Sequence, residues 1–347
     1  MDSSGIGVAR KLDRRTVLGG ALGVGAAVAL SGCKGLSSSA AAEPLTVGGL
    51  AVTCNLTLPV ACAANAAANR ASGAQFAYQK FTGWPEVKES LMSGDLQAAY
   101  MLAPLVMDLA DKKVPVKIVS IGHRSGAVIM VRTDSDYRNF RGLAGKRVAI
   151  PSRFAVDFLF LRKMLAMEGM TPDDVEVVEM ATADMPAALY VKGVDAYCTG
   201  EPFGAAAQSA GYARPLSMTR DEWPRYMCCV LTVREELIAK DRPLVQNLVN
   251  YVLGAGAWLD TQPQNRTKAV ELAAGRSYFN QDPNILKFVM TNPADRVTYG
   301  DLRMVPREFD ELMQLSVEAG TLKHPVPYAT YVDDSFAKVA QPASILL

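Results

Sequence analysis

From Pro44 onward, short apolar runs alternate with stretches whose apolar residues recur at helical period. The runs predict strands at 45–50, 75–81, 96–101, 116–121 and 127–132, with helices at 58–70, 84–93 and 104–111 between them. Gly94 is placed to stop the second of these helices. A polar, charged stretch at 134–140 reads as a crossover between lobes. A second set follows, with strands at 147–150, 175–179 and 195–199 and helices from a Ser152 cap to 168, at 184–192 and at 203–210. The strand 228–233 reads as the return to the first lobe, and the last third is mostly helical, at 242–261, 265–277, 285–291 and 306–319.

This alternation predicts α/β architecture with largely parallel strands, divided into a first lobe from 44–132, a second from 133–226, and a return with C-terminal helices from 227–347. Ligands of open α/β sheets sit beyond the carboxyl ends of the strands. Two such sheets facing each other would trap a ligand in a cleft that closes by hinge motion.

Residues 1–32 do not fit this scheme. Arg10, Lys11, Arg14 and Arg15 precede an uncharged run of Val, Leu, Gly and Ala that ends at Leu30-Ser31-Gly32-Cys33. A basic segment before a short apolar one is the pattern of an export signal, and the run is too short and too Gly-rich for a comfortable membrane span. Arg14-Arg15 resembles a twin-arginine signal, and Leu-Ser-Gly-Cys resembles a bacterial lipobox in which Cys33 is lipidated. Residues 33–43 then form a tether rich in Ser, Ala and Gly.

Separating the signal changes the charge balance little. The whole chain has 36 basic and 35 acidic residues, and loss of 1–32 leaves 32 and 33. That neutrality gives no broad electrostatic reason to bind nucleic acid, so any charge preference must be local. Beyond Cys33 there are Cys54, Cys62, Cys198, Cys228 and Cys229, with no C-x-x-C spacing, and only His123 and His324. No metal site, cofactor or Cys/His catalytic pair is expected from this set, and most of the thiols read as small buried hydrophobes.

Several motifs are familiar as a group. Phe81-Thr82-Gly83-Trp84, the run from Gly94 to Pro104, Leu143-Ala144-Gly145-Lys146-Arg147 and, above all, Asp195-Ala196-Tyr197-Cys198-Thr199-Gly200-Glu201-Pro202-Phe203 resemble the nitrate, sulfonate and bicarbonate group of ABC-transporter substrate-binding proteins. The resemblance covers roughly 44–261 and implies the type II periplasmic-binding-protein fold, two α/β lobes around a ligand cleft. It implies capture of a small-molecule ligand without catalysis, handed to a permease and a cytoplasmic ATPase by a monomeric protein on the outer face of a bacterial membrane.

The resemblance also nominates residues for the cleft. Thr53, Cys54 and Asn55 follow the first strand and either face the ligand or form an ordinary cap. Trp84 packs against ligand in many members, or else anchors the core. Met101 and Leu102 end a strand, Ser125 and Gly126 follow the candidate cation pair His123-Arg124, and Glu201 sits in the Gly-Glu-Pro turn. Ser152, Arg153 and Phe154 occupy a strand-to-helix turn, where free N–H groups and Arg153 would hold an anionic head group, with Arg153 also able to pair with Glu201. Cys228 stands in Met227-Cys228-Cys229, near where nitrate-type members carry a lysine. Its absence points away from the smallest inorganic anions and toward a sulfonate-like solute or a heterocycle. Two alternatives remain open: a pyrimidine-synthase-like enzyme on the same fold, and a membrane-tethered solute sensor.

Overall fold

The computed structural model describes residues 43–347. The segment expected to be an export signal and Cys33, the expected lipidation site, both lie outside the described residues. Two five-stranded mixed sheets carry the fold. In the first, Phe76–Phe81, Leu45–Leu50, Ala98–Leu102, Cys229–Arg234 and Val116–Ile121 lie side by side in that order. In the second the order is Ala213–Met218, Ala127–Arg132, Ala196–Gly200, Arg147–Ile150 and Glu176–Glu179. Helices cover both sheets, and among the described residues no helix is long and apolar enough to cross a membrane.

The sequence expectation of largely parallel strands needs one amendment with a structural cause. Each sheet contains one strand that runs against its neighbours on both sides: Cys229–Arg234 in the first and Ala127–Arg132 in the second. These are the strands by which the chain enters each sheet after crossing between them. The parallel strands end at the cleft, so a chain arriving from the cleft must run the opposite way.

The crossover itself is earlier than expected. Ala127–Arg132 pairs with Ala196–Gly200 and belongs to the second sheet, not to the first lobe, a pairing hidden from local sequence because its first partner arrives two strands and two α-helices later in the chain. The link is therefore Gly122–Gly126, and 134–140 lies within the second lobe. Ser125 and Gly126 both have positive φ, 58° and 100°, and the Ser125 N–H donates to the Tyr226 carbonyl of the returning chain at 3.2 Å. Two crossovers running side by side form a two-stranded hinge, stitched further by Thr219, whose hydroxyl bonds the Ala127 backbone at 3.1 Å.

Local predictions fare well where neighbours four residues apart decide the outcome. The helix Trp84–Ser93 ends at Gly94, whose φ of 88° is the left-handed conformation glycine adopts without penalty. Ser152, by contrast, does not cap the following helix. Its hydroxyl accepts the Phe154 N–H at 3.2 Å in a local turn, and the helix begins later, at Val156. The strand Ala213–Met218 was not expected. It is an edge strand interrupted by Pro215 and a register shift between Pro215 and Ser217, which hides its alternation.

Candidate functional site

The first strand of the first sheet delivers the turn Thr53–Asn55 directly against the second lobe. Thr53 donates its N–H and its hydroxyl to the Glu201 carbonyl, at 2.8 and 3.0 Å, and its own carbonyl accepts the Tyr299 hydroxyl at 2.8 Å. Asn55 turns back on its strand, accepting the Leu50 N–H at 2.9 Å. Cys54 projects toward Gly126 and Gly200, where a Cβ on either glycine would lie 3.4 or 3.2 Å from its sulfur. Glycine at both positions leaves room for that sulfur.

Around Cys54 the fold assembles a buried polar cluster in an apolar core. His123, Cys228 and Cys229 lie on the two crossovers, with their ligating atoms within 4.8 Å of one another. The sulfurs of Cys228 and Cys229 are 4.0 Å apart, and all five described cysteines are free thiols. The expectation of no metal site rested on sequence spacing, and these three donors nonetheless stand close together in the fold. C-x-x-C spacing is one way to bring such donors together, and here two distant segments, at 123 and 228–229, do so instead.

Protonation in the cluster follows from its hydrogen bonds. Burial pushes the Cys229 thiol well above the ordinary range, its S–H donates to the Cys228 sulfur at 4.0 Å, and its proximity holds the Cys228 and Cys54 thiols below theirs. At His123, burial opposes a charge while the Cys54 and Cys228 sulfurs favour one, which would raise the imidazole. Against this, the Cys229 N–H points at Nε2 at 3.1 Å and needs a lone pair there. The rigid backbone decides the matter: Nδ1–H donates to the Ser125 carbonyl at 2.8 Å, and the imidazole is neutral. Asp157 lies close by, pushed well above the usual carboxylate range by burial and then by Cys228 and Cys54. Its Oδ1, Asn55 Nδ2 and Thr199 Oγ1 find no partner among the described residues.

The remaining nominated residues divide. Met101 and Leu102 are fully buried, in register with Val230 and Cys229, and form the floor under the cluster. Ser125 and Gly126 form the hinge. Glu201 accepts the Ala205 N–H at 2.8 Å and faces Arg296 at 3.4 Å, so the suggested Glu201–Arg153 pair does not form. Arg153 lies on the outside, half exposed, 3.6 Å from Glu179 and above the Phe158 ring. Phe154 packs beneath Lys112. Arg124, half of the suggested cationic patch, is buried and directed away, held by the carbonyls of Asp301, Arg225 and Arg303 and by Glu308 at 2.8 Å.

Trp84 lines a different space, a cleft of about 630 Å³ between the lobes. The first lobe contributes Leu50 and Thr82 to Glu86, the second Pro151 and Glu179 to Asp184. Its ionisable groups are Glu86, Glu179 and Asp184, with Arg153 at the edge already paired to Glu179. Sequence reasoning missed the 179–184 segment, although it follows a strand end and so lies on the ligand-facing side of the sheet.

The sequence pattern of the NMT1-like family matches residues 38–274. Among curated proteins, the chain is 30% identical over 217 residues to the nitrate import ATP-binding protein NrtC of Synechococcus elongatus, covering 58% of this chain and 33% of that protein. The chain thus spans about a third of that relative's length. Among solved structures, the ligand-binding component of an ABC-type import system from Staphylococcus aureus, with zinc bound, is 26% identical, with a TM-score of 0.77 over 87% of this chain and 100% of that one. The desulfurization enzyme DSZB shares the fold at 17% identity, with a TM-score of 0.63 over 85% of this chain and 97% of that one. The two-lobed periplasmic-binding architecture is therefore the fold of this chain, and that fold carries both binding proteins and an enzyme.

Proposed function

Because the chain belongs to the NMT1-like family, we propose that it is the solute-capturing component of an ABC importer, closing two lobes on a small organic solute and presenting it to a membrane permease driven by a cytoplasmic ATPase. The observation that carries this reading is the 630 Å³ cleft beside a two-stranded hinge, lined from both lobes and fronted by Trp84. Its size suits a small organic molecule, and opening about the hinge would admit one.

The solute we favour is an uncharged or cationic heterocycle. Three carboxylates line the cleft and the Arg153 guanidinium outside it is paired to one of them, which repels a sulfonate, nitrate or bicarbonate, while an indole beside polar turn atoms suits a flat ring with donors. The nominated cleft residues Thr53, Cys54, Asn55, Ser125, Gly126, Glu201 and Cys228 then set the closed state and the hinge, while Trp84 and the 179–184 turn meet the solute. Catalysis is no part of this reading. In this arrangement the Cys229 N–H occupies Nε2 of His123 and Nδ1–H bonds the Ser125 carbonyl, so the imidazole is not directed at Cys54.

Thermal-shift measurements on the purified chain against purines, pyrimidines, alkanesulfonates, nitrate and bicarbonate test the assignment. A solute at 100 times its Kd stabilises the folded chain by about 2.7 kcal/mol. Stabilisation by heterocycles alone is expected. Stabilisation confined to anions would refute the solute class, and turnover of any of these compounds would refute the binding role.

We further propose that the chain is exported and held at a membrane surface through a lipid on Cys33, on the strength of the lipobox and the basic-apolar segment before it. Fatty-acid labelling should be present in the wild type and absent from Cys33→Ser. Labelling that persists in the variant overturns the anchor.

A further inference from the structure

The cluster at the hinge is a site in its own right. The ligating atoms of His123, Cys228 and Cys229 lie within 4.8 Å of one another, and the Cys54 sulfur projects past Gly126 and Gly200 beside the hinge strands that carry them. We propose that Cys228, Cys229 and His123 bind one thiophilic divalent cation of the Zn²⁺ type, with the Cys54 sulfur on the fourth side.

Three observations carry this. The geometry is nearly preformed: Zn–S bonds of about 2.3 Å in a tetrahedron place sulfurs about 3.8 Å apart, and Cys228 and Cys229 stand 4.0 Å apart. The donor set is soft, thiolate and imidazole without a free carboxylate among the three, which selects Zn²⁺ over Mg²⁺ or Ca²⁺. The charge also balances. Two thiolates neutralise a divalent ion, and the described structure offers no unpaired cation here that would compensate a bare thiolate pair, since Arg124 is turned away onto Glu308.

Binding has a defined cost and stoichiometry. Any proton still on the Cys228 or Cys229 sulfur leaves to solvent as that sulfur bonds the ion. His123 keeps its Nδ1–H on the Ser125 carbonyl, the outer hydrogen bond typical of a ligating histidine, and gives its Nε2 lone pair to the ion in place of the Cys229 N–H. The ligands come from both crossovers, and Cys54 from the first-lobe turn that touches Glu201 across the cleft. A bound ion would therefore join the two hinge strands to that turn and favour the closed arrangement. The site is separate from the Trp84 cleft, so it stands whether or not the chain carries a heterocycle.

The test uses Zn²⁺ and Co²⁺ alone on the full chain, reduced and stripped with chelator. Calorimetry should give one Zn²⁺ per chain, and Co²⁺ should produce a thiolate charge-transfer band. In the Cys228→Ser/Cys229→Ser double variant, Zn²⁺ affinity should fall more than about 100-fold, beyond the 10- to 100-fold typical of outer-shell changes, whereas Cys62→Ser should match the wild type. If the double variant fails to fold, alkylation of the wild type read peptide by peptide replaces it, and Zn²⁺ should protect Cys228 and Cys229 but not Cys33 or Cys62. No binding to the wild type, affinity unchanged in the folded double variant, or protection falling on Cys33 or Cys62 instead would each overturn the site. Solute thermal shifts are measured without metal, so loss of this site leaves the transport reading intact.

Discussion

Glu201 and Arg296 form an ion pair that is almost wholly out of water, with side chains 0% and 2% exposed and Nε 3.4 Å from Oε1. With an effective dielectric constant near 20, attraction at that distance is about 5 kcal/mol, much of it offset by desolvation. The two partners are not equivalent once separated. Glu201→Ala leaves a guanidinium that cannot lose its proton, with Nη2 on Gln208 at 2.6 Å, a nearby Phe288 ring, and no other partner for Nε or Nη1 among the described residues. The expected cost is about 3 to 5 kcal/mol. At about 2 °C per kcal/mol for a chain of this size, Tm should fall by roughly 6 to 10 °C.

Arg296→Met leaves a carboxyl that can neutralise itself. Burial already raises Glu201 above its ordinary value of 4.5, with Arg296 opposing the rise, and removal of the arginine raises it further. A raised carboxyl is most favourable to folding below its unfolded value, and that contribution drains away as pH climbs through the folded one. The Arg296→Met deficit should therefore shrink on acidification toward pH 4.5, by up to about 1.4 kcal/mol per pH unit, while the Glu201→Ala deficit should not shrink. Urea unfolding at pH 7.5, 6.0 and 5.0 measures both. Equal, pH-independent penalties, or penalties under about 1 kcal/mol for each variant, would refute the account of a desolvated pair.

Two further outcomes follow from the hinge and the cleft. Gly126→Ala should destabilise more than Gly211→Ala in thermal unfolding, since both have positive φ, but only at Gly126 would the new Cβ meet another side chain, Val297, at 2.9 Å. Equal effects would mean that backbone conformation alone matters. Trp84→Ala removes a buried indole and should cost about 3 to 5 kcal/mol. Trp84→Phe should cost less yet still weaken solute-induced stabilisation in the thermal-shift assay, and full retention of that stabilisation would place the solute elsewhere.

Much of this molecule was legible from neighbouring residues alone. Apolar runs and their turn residues located most strands of both sheets to within a few positions, and Gly94 ended its helix as its conformational freedom requires. The Gly200-Glu201-Pro202 turn pointed to a lobe-facing position, and its carbonyl does take the Thr53 contact across the cleft. What the sequence could not carry was partnership. Ala127–Arg132 looks the same in either lobe, and only pairing with a strand some seventy residues later assigns it to the second. Arg153 and Glu201 were plausible partners by type, but Arg296, distant in the chain, arrives at Glu201 first and leaves Arg153 to Glu179. The thiols at 54, 228 and 229 and the imidazole at 123 meet only because two crossovers run side by side at the base of the first-lobe turn. Local periodicity is written in residues a few positions apart, and therefore survives in the sequence. A site built from three segments exists only after the sheets have closed on one another.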